Sequence, residues 1–457
     1  MREASRLRGG SPASVWMPVL GVVAAAILIG GLVMLGAVGG PEASGALVLG
    51  LVLFAVSLPV FFRQARLEGD RWILRLLILA LLVKFIGAVV RYYVAFDVYG
   101  GVADAAGYHD IGARIADNFQ MGRFGTGLDS LRGTNFITFL TGIVYTFIGP
   151  TGLGGFVVFS WLGFWGLFFF YRAFRLAVPE GRSRTYATLV FFLPSLVFWP
   201  SSIGKEAWMM FSLGIAALGA AQVLSGRTWR GLGVAGLGLW LAAIVRPHVA
   251  GLIALSLAAG YLFRRSRSEL GGYAILPKAI GLGAVTLLAV VFVIRTYGFL
   301  EESAIRTEGG VTAVLRQTSE RTAQGGSEFV PSALESPARA PVAVATVLFR
   351  PFLFEVHNAQ GLAASLETTL LLGLCLARWR WVLAALRSVR RQPYVAMAFA
   401  YTGLFVLAFS GFANFGLLAR ERVQLFPLFL VLVCVPALKQ EVQRRSSPIR
   451  PFEGRGA

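Results

Sequence analysis

Residues 72–97 read WILRLLILALLVKFIGAVVRYYVAFD, an apolar stretch that holds only a few charged side chains, among them Lys84 and Arg91. A helix of roughly 20 apolar residues crosses about 30 Å of hydrocarbon, so this stretch is long enough to span a membrane. Comparable runs recur along the chain, near residues 15–38, 44–62, 153–174, 184–202, 206–224, 230–246, 248–264, 278–297, 360–382, 394–413 and 421–439. The pattern predicts an all-α, polytopic integral membrane protein with about twelve transmembrane helices.

The composition excludes a soluble protein. The 457-residue chain is 56% hydrophobic and 14% charged, with a mean hydropathy of +0.70, and soluble domains are far less apolar. Its net charge of +19 does not indicate nucleic-acid binding, because most lysines and arginines lie in short connections between apolar runs. The two cysteines, Cys375 and Cys434, lie in separate apolar runs, and neither a disulfide bond nor a metal site is predicted.

The basic connections predict the orientation of the chain in the cytoplasmic membrane. Arginine and lysine are enriched in cytoplasmic loops. Crossings that leave both termini inside place every basic connection on that side: the N-terminus, Arg63/Arg66/Arg71, Arg172/Arg175/Arg182/Arg184, Arg227/Arg230, Arg264/Arg265/Arg267, Arg387/Arg390/Arg391 and Arg444/Arg445.

This orientation divides the chain into parts. They are an N-terminal two-helix extension (1–71), a transmembrane core (72–297) with a first outer loop (98–152), a second outer loop (298–358), C-terminal transmembrane helices (359–439) and a basic cytoplasmic tail (440–457).

One apolar segment does not fit the count of crossings. Residues 133–149 read GTNFITFLTGIVYTFIG, but a crossing here would move Arg175, Arg182 and Arg184 to the outside. The charge pattern therefore predicts that this segment lies in the interface or re-enters the membrane.

The first outer loop supplies a candidate general base. Asp104, His109 and Asp110 lie in the sequence DVYGGVADAAGYHD, just after a span. A carboxylate held near the membrane surface is suited to accept a proton from an attacking hydroxyl, and we assign that role to Asp104. The alternative is that Asp104 or Asp110 caps a helix. The following residues predict a short amphipathic helix with its apolar face formed by Ile111, Ile115 and Phe119.

Two further clusters place charged residues where apolar runs begin or end. Lys205 and Glu206 open a span after a helix-breaking segment, and Arg246 and His248 flank Pro247 between two spans. Glu206 at a helix N-terminus has a structural explanation in the helix dipole, whereas Lys205 there indicates an anionic partner. We predict that Arg246 contacts a lipid-linked phosphate at the outer leaflet.

The C-terminal half holds the remaining candidates. Arg350, Glu355 and His357 follow the second outer loop, and Arg420 and Arg422 lie at the outer end of the last apolar run. Two arginines separated by one residue are able to converge on a diphosphate. The alternative is an internal salt bridge of Arg420 or Arg422 with Glu355 or Glu421.

The order of these segments resembles the C-type (GT-C) superfamily of membrane glycosyltransferases, in its protein O-mannosyltransferase and aminoarabinose-transferase branch. The resemblance covers roughly residues 72–265 and is carried by DAAGYHD (104–110), NFITFLTGIVYTFIGP (135–150), FYRAFRLAVPEGRSR (170–184), FFLPSLVFWPSSIGKEA (191–207) and VRPHVAG (245–251).

The resemblance implies a GT-C-like fold, with Asp104 as the base and Glu206 near the place of a second acidic residue that is usually aspartate. The sequence departs from the family in an extra pair of spans before the acidic loop and in the absence of Pro-Pro from 133–149. RPFLFEVHN (350–358) and NFGLLARER (414–422) are also similar to bacterial polysaccharide repeat-unit polymerases.

We therefore expect a membrane enzyme that transfers a sugar from a polyprenyl-phosphate-linked donor to an acceptor hydroxyl during cell-envelope glycan synthesis. In this hypothesis Asp104 is the base, His109, Asp110 and Glu206 are further catalytic candidates, and the donor phosphate is bound by Lys205, Arg246, His248, Arg350, Arg420 and Arg422. Glu355 and His357 are additional site candidates. The expected partners are the bilayer, the lipid-linked sugar and a glycan, lipid or protein acceptor, with no nucleic acid. The sequence assigns no cofactor beside the lipid-linked sugar donor, and it leaves open a divalent cation held by Asp104 and Glu206. A polysaccharide polymerase or ligase and a lipid-linked glycan flippase are the alternatives.

Overall fold

The computed structural model describes residues 13–264, 279–283, 285–287, 290–291, 310–323, 327–331, 337–356 and 358–435. For residues 13–39, 41, 310–313 and 337 it describes the backbone alone. The predictions for His357, for most of the run 278–297, for much of the second outer loop and for the tail 440–457 lie outside the described residues.

The described residues are predominantly helical. The helices are α1 (Ala13–Glu68), α2 (Arg71–Tyr93), α3 (Asp104–Gln120), α4 (Gly133–Ile148), α5 (Gly152–Ala177), α6 (Ser183–Phe192), α7 (Pro194–Phe198), α8 (Lys205–Leu224), α9 (Thr228–Val245), α10 (Pro247–Leu262), α11 (Gly310–Thr322), α12 (Ala340–Phe349), α13 (Ala359–Ala377), α14 (Trp379–Ser388), α15 (Pro393–Phe409), α16 (Phe415–Arg422) and α17 (Phe426–Cys434). Within the described ranges no β-strand forms, and Glu328 and Asn414 make an isolated bridge. The all-α prediction is confirmed for this part of the chain.

Six of the described helices are long and apolar enough to cross a membrane. They are Glu42–Glu68, Arg71–Val98, Gly152–Ala177, Lys205–Leu224, Thr228–Val245 and Ala359–Ala377. Trp379–Ser388 and Pro393–Phe409 meet at an angle of 111° and add a seventh if they form one broken span. The chain is therefore compatible with a multi-pass membrane protein, but the described residues do not reach the predicted twelve spans.

Several predicted runs are shorter or broken in the structure. The run 184–202 divides because Pro194, which lacks a backbone N–H, starts the separate helix α7. The run 248–264 forms α10, whose 16 residues fall below the length of roughly 20 that a perpendicular crossing needs. The run 421–439 is interrupted by a turn at 423–425.

The runs 15–38 and 44–62 meet within α1. The backbone at Gly40 has φ 73° and ψ −164°, which is not helical and joins two helices across a kink. A positive φ of this kind is easily reached only by glycine. The predicted boundary between the first two apolar runs therefore coincides with this kink.

Helix α8 approaches both α5 and α9 closely through glycines. A Cβ on Gly166 of α5 would lie 2.3 Å from the Met210 carbonyl oxygen, and one on Gly214 would lie 2.3 Å from the Gly166 carbonyl oxygen. Between α8 and α9, a Cβ on Gly238 would lie 2.3 Å from the Ala216 nitrogen. Small residues allow such close backbone contact, which is how helices associate where lipid removes the hydrophobic driving force.

The break between α6 and α7 is held by two buried charged side chains from other helices. Lys84 of α2 is 1% exposed, and its ammonium donates hydrogen bonds to the carbonyl oxygens of Leu196 at 2.7 Å and Val197 at 3.2 Å. Glu367 of α13 accepts a hydrogen bond from the Ser195 backbone N–H at 2.6 Å. Both groups therefore satisfy the backbone of the short helix α7, which begins at the break.

Both ends of α4 contact the same end of the bundle. Near its start, the Phe136 ring lies 4.9 Å from the ring of Trp208, in the first turn of α8. Near its end, Tyr145 of α4 lies against Gly155, in the first turn of α5, because a Cβ placed on Gly155 would be 2.9 Å from the Tyr145 hydroxyl. The same Cβ would be 2.7 Å from Ile203, which lies just before α8. A helix crossing the membrane would contact opposite ends, so this arrangement supports the interface prediction for 133–149.

Candidate functional site

Four segments that are distant in sequence meet at this same end of the bundle in a network of ion pairs. Asp104 starts α3, Glu206 lies in the first turn of α8, Arg246 follows the last residue of α9, and Arg420 and Glu421 lie in α16. We call Asp104, Glu206, Arg246, Arg420 and Glu421 the ion cluster. The sequence singled out each segment separately, and their direct contact is a feature of the tertiary structure.

Arg420 connects the exposed and buried parts of the ion cluster. Its Nε and Nη2 donate to Glu206 Oε1 at 2.7 Å and Oε2 at 3.1 Å, a two-pronged contact. Its Nη1 donates to Asp104 Oδ2 at 2.9 Å. The nearby Glu206 carboxylate raises the pKa of Arg420, so the guanidinium stays charged.

Arg246 completes the buried side of the cluster. Its Nη2 donates to Glu206 Oε1 at 3.1 Å, and its Nη1 donates to Glu421 Oε2. Gln424 donates a further hydrogen bond to Glu421 Oε2 at 2.7 Å. Arg246, Glu206 and Glu421 are 8%, 3% and 9% exposed, so their charges are largely removed from solvent. Arg246 and Arg420 together balance the two glutamates.

Asp104 is the solvent-facing member of the ion cluster. Its side chain is 59% exposed, whereas that of Arg420 is 20% exposed. The N-cap residue of α3 is Ala103, with no side-chain cap hydrogen bond, so the carboxylate of Asp104 is oriented by Arg420. The salt bridge uses Oδ2, and the side chain is otherwise largely open to solvent.

Two cations lie beside the ion cluster without a carboxylate of their own. Lys205 precedes Glu206, and within the described ranges no acidic side chain forms an ion pair with it. Arg91 of α2 is 9% exposed, and within the same ranges its buried Nε and Nη1 atoms have no hydrogen-bond acceptor. Its guanidinium instead lies 4.9 Å from the ring centroids of both Phe198 and Trp199.

Arg91 is a neighbour of the ion cluster that is absent from the site residues predicted from the sequence. Its signal was present, because an arginine inside an apolar run is costly and marks a functional candidate by default. What the sequence lacks is any indication that the outer end of α2 adjoins α7 and the ion cluster.

The other candidates from the first outer loop lie apart from the ion cluster. The Nδ1 atom of His109 is 2.8 Å from the Tyr145 hydroxyl, and its ring lies 6.1 Å from that of Phe96. Asp110 is exposed on α3. The apolar face of α3 also differs from the prediction, because Ile115 is buried while Ile111 is 38% exposed.

His248 follows Arg246 by two residues but faces a different group. It is half-buried at the start of α10, and its ring lies 6.4 Å from that of Phe409.

Arg350, Glu355 and Arg422 form a second group. Arg350 pairs with Glu355, with Nη2 to Oε1 at 2.6 Å, and lies over the stacked rings of Phe329 and Phe415. Burial raises the pKa of Glu355, but the hydrogen bonds from Arg350 and the Phe352 backbone, together with the charge of Arg350, lower the pKa overall.

Arg422 donates hydrogen bonds to backbone carbonyl groups beside this second group. It is 1% exposed, and its Nη1 donates to the carbonyl oxygens of Leu348 at 3.0 Å and Arg350 at 2.8 Å. Arg420 and Arg422 do not converge in this structure, because their side chains bind separate protein groups. Internal salt bridges do form, but Arg420 pairs with Glu206 and Asp104, and Arg246 pairs with Glu421.

Metal-ligating side chains do not gather in the described part of the chain. No group of three or more histidine, cysteine, aspartate or glutamate residues is present there. Asp104 and Glu206, the pair that the sequence suggested for a divalent cation, share the guanidinium of Arg420 between them. Cys375 and Cys434 are free thiols.

The arrangement is able to perform proton abstraction next to a site of positive charge. An exposed carboxylate is held by an arginine, which is itself fixed by a buried glutamate, so the carboxylate has a defined position.

Comparison with protein-family models, with curated proteins and with solved structures finds no match for the chain.

Proposed function

We propose that the protein is a membrane glycosyltransferase that transfers a sugar from a polyprenyl-phosphate-linked donor to an acceptor hydroxyl at the outer face of the cytoplasmic membrane. The observation that carries the proposal is the exposed Asp104 carboxylate, which Arg420 holds through Oδ2. This base lies at the end of the bundle where the charge pattern predicts the outside.

In the proposed reaction, Asp104 Oδ1 accepts the proton of the acceptor hydroxyl. The oxygen of that hydroxyl attacks the anomeric carbon and forms the new glycosidic C–O bond. The C–O bond between the anomeric carbon and the lipid phosphate breaks, and its electron pair leaves on the phosphate oxygen. Direct displacement inverts the anomeric configuration.

The cations around Asp104 support the leaving-group step. Arg91, Lys205, Arg246 and Arg420 surround three carboxylates, so positive charge exceeds negative charge even with Asp104 ionised. Preorganised positive charge stabilises the negative charge that develops on a departing phosphate. Glu206 acts as a positioning residue, because it fixes the Arg420 side chain that holds Asp104.

The test is transfer by the purified protein in detergent, with a panel of radiolabelled polyprenyl-phosphate hexoses and envelope glycan acceptors. Asp104→Asn keeps the shape of the side chain but removes the proton acceptor. We expect turnover to fall by roughly 100- to 10,000-fold, as for loss of a general base, with donor binding nearly unchanged. The matched control is Asp117→Asn, an exposed aspartate on the same helix α3, which should retain turnover.

Two outcomes would contradict this function. Near wild-type turnover of Asp104→Asn would show that the base lies elsewhere. Transfer is expected without an ion gradient or membrane potential, so a solubilised protein that converts no donor, while reconstituted vesicles translocate the lipid-linked glycan, would instead establish a flippase.

A further inference from the structure

A strongly basic segment joins α13 to α15 at the end of the bundle opposite the ion cluster. Residues 378–391 hold five arginines and no aspartate or glutamate. Arg182, which follows α5, lies 4.0 Å from the ring centroid of Trp381 in this segment. Because α5 begins beside α4 and runs for 26 residues, this contact places the basic segment at the far end of the bundle. The charge pattern predicts that this end is cytoplasmic.

Helix α14 forms most of the basic segment and has two different sides. On one side Ala385 and Ser388 are buried, and the helix packs against α17. On the other side Trp379, Leu383 and Leu386 are exposed. Their spacings of four and three residues align these side chains in one stripe along the helix, which we call the apolar stripe. Exposed hydrocarbon of this kind is unfavourable in water and favourable against lipid chains.

The arginines of the segment lie beside the apolar stripe. Arg380 and Arg387 are exposed and seven residues apart, so they lie on the same side of α14. Arg390 and Arg391 are exposed in the turn that follows the helix. In the part of the chain that the structure describes, none of these four arginines forms an ion pair with a carboxylate. A surface that combines hydrocarbon with adjacent negative charge is complementary to this arrangement.

The direction of α14 fits the surface of a membrane. The next helix, α15, is an apolar helix of 17 residues in the bundle, and α14 is bent from it by 111°. Helix α14 therefore runs across the bundle more than along it. An amphipathic helix in this direction lies in the membrane interface, with its apolar side among the acyl chains and its arginines at the headgroups.

We propose that α14 lies in the cytoplasmic membrane interface and binds anionic phospholipids, whose headgroups contact Arg380, Arg387, Arg390 and Arg391. The acyl chains of the bound lipids contact the apolar stripe. A zwitterionic phospholipid supplies the same chains without net negative charge, so the four arginines favour an anionic headgroup. This site lies at the opposite end of the bundle from the ion cluster and is independent of the proposed transfer reaction.

The test identifies the lipid that contacts α14 in the purified full-length protein in nanodiscs. In a background without Cys375 and Cys434, Leu383→Cys is labelled with a bimane fluorophore, and its quenching by phosphatidylglycerol and by phosphatidylcholine with brominated acyl chains is compared. We expect phosphatidylglycerol to be preferred at position 383 by about tenfold, because the arginines attract its charge. Arg380→Gln/Arg387→Gln should reduce this preference by about threefold or more, and added salt should weaken it.

Two controls separate a local lipid site from general effects of charge and exposure. Leu79→Cys, labelled in the same way, lies on the exposed apolar side of α2 and should be quenched equally by both lipids. Arg227→Gln/Arg230→Gln removes two exposed arginines from another predicted cytoplasmic connection. It should leave the preference at position 383 unchanged.

Three results would overturn the proposal. Quenching at position 383 by aqueous iodide but by neither brominated lipid would place α14 in water, with a soluble acidic partner as its ligand. Equal quenching by the two lipids would exclude selection of an anionic headgroup. An equal loss of preference in the Arg227→Gln/Arg230→Gln and Arg380→Gln/Arg387→Gln variants would assign the preference to the overall charge of the protein.

Discussion

At the scale of single residues, arginines of similar appearance in the sequence have different environments in the structure. Arg246 and Arg420 bind carboxylates, Arg422 binds backbone carbonyls, and Arg91 lies against aromatic rings. The difference decides what each substitution should do. Removing a paired buried arginine leaves an uncompensated carboxylate, whereas removing an unpaired one relieves a cost.

Arg246→Met should destabilise the protein strongly. It leaves Glu421 and part of Glu206 buried without their cation, and breaking a buried ion pair on one side costs about 3–5 kcal/mol. The measurement is the Tm in detergent, followed by tryptophan fluorescence. The double variant Arg246→Met/Glu421→Gln should recover part of the loss, because the orphaned charge is removed as well. Equal Tm values for wild type and Arg246→Met would show that the pair is not buried as described.

At the scale of helices, the buried side chains of Lys84 and Glu367 stabilise the break between α6 and α7. The apolar run 184–202 suggested one continuous span, but Pro194 divides it. Lys84 donates hydrogen bonds to backbone carbonyls of α7, and Glu367 accepts one from a backbone N–H of α7. The ring of Trp199 then packs against Arg91, so the break also shapes the wall of the candidate site. Intramembrane charges are therefore not all functional in the same way.

Lys84→Met should lower the stability of α7 more than substitution of a lipid-facing residue on the same helix. It deprives the Leu196 carbonyl of a buried donor, at a cost of about 1–3 kcal/mol. Hydrogen exchange of residues 194–201 should increase, together with a lower Tm. The control is Leu79→Ala, whose parent side chain is 49% exposed on α2 and makes no comparable contact. Equal exchange at α7 in the two variants would contradict the role of Lys84.

At the scale of the whole molecule, the position of α4 decides which side of the membrane each later segment occupies. If α4 lies in the interface, α5 runs from outside to inside and Arg184 is cytoplasmic. If α4 crosses, every later connection changes side. Contacts of both ends of α4 with the first turns of α5 and α8 support the interface position.

Cysteine labelling in intact cells tests this topology at exposed positions. In a background without Cys375 and Cys434, Val102→Cys should react with an impermeant thiol reagent from outside, because this residue is 89% exposed in the first outer loop. Arg184→Cys should react only after the membrane is permeabilised, and the Arg184 side chain is 67% exposed. Labelling of position 184 in intact cells would move α4 into the membrane and place the later segments on the opposite side.

The sequence by itself determined the class of protein and the segments from which the site is built. Hydrocarbon imposes a minimum apolar length and a basic bias on cytoplasmic loops, and both are visible in local composition. Asp104, Glu206, Arg246 and Arg420 were accordingly found from sequence, since charge near an apolar boundary is unusual wherever it occurs. The predicted number of spans exceeded what the described helices supply, because composition does not reveal where Pro194 or the turn at 423–425 interrupts a run.

Only the tertiary structure decided which charges neutralise one another. Glu206 and Arg420 are separated by 214 positions, and Asp104 and Arg420 by 316, so no periodicity encodes their contact. The close packing of α8 and α9 through glycines accompanies the contact of Glu206, at the start of α8, with Arg246, at the end of α9. The carboxylates of the cluster are hydrogen-bonded to Arg246 and Arg420, and within the described residues Arg91 is a buried cation with no hydrogen bond to a carboxylate. The excess of cations over carboxylates belongs to the group of side chains that the fold brings together, and no single segment of the sequence shows it.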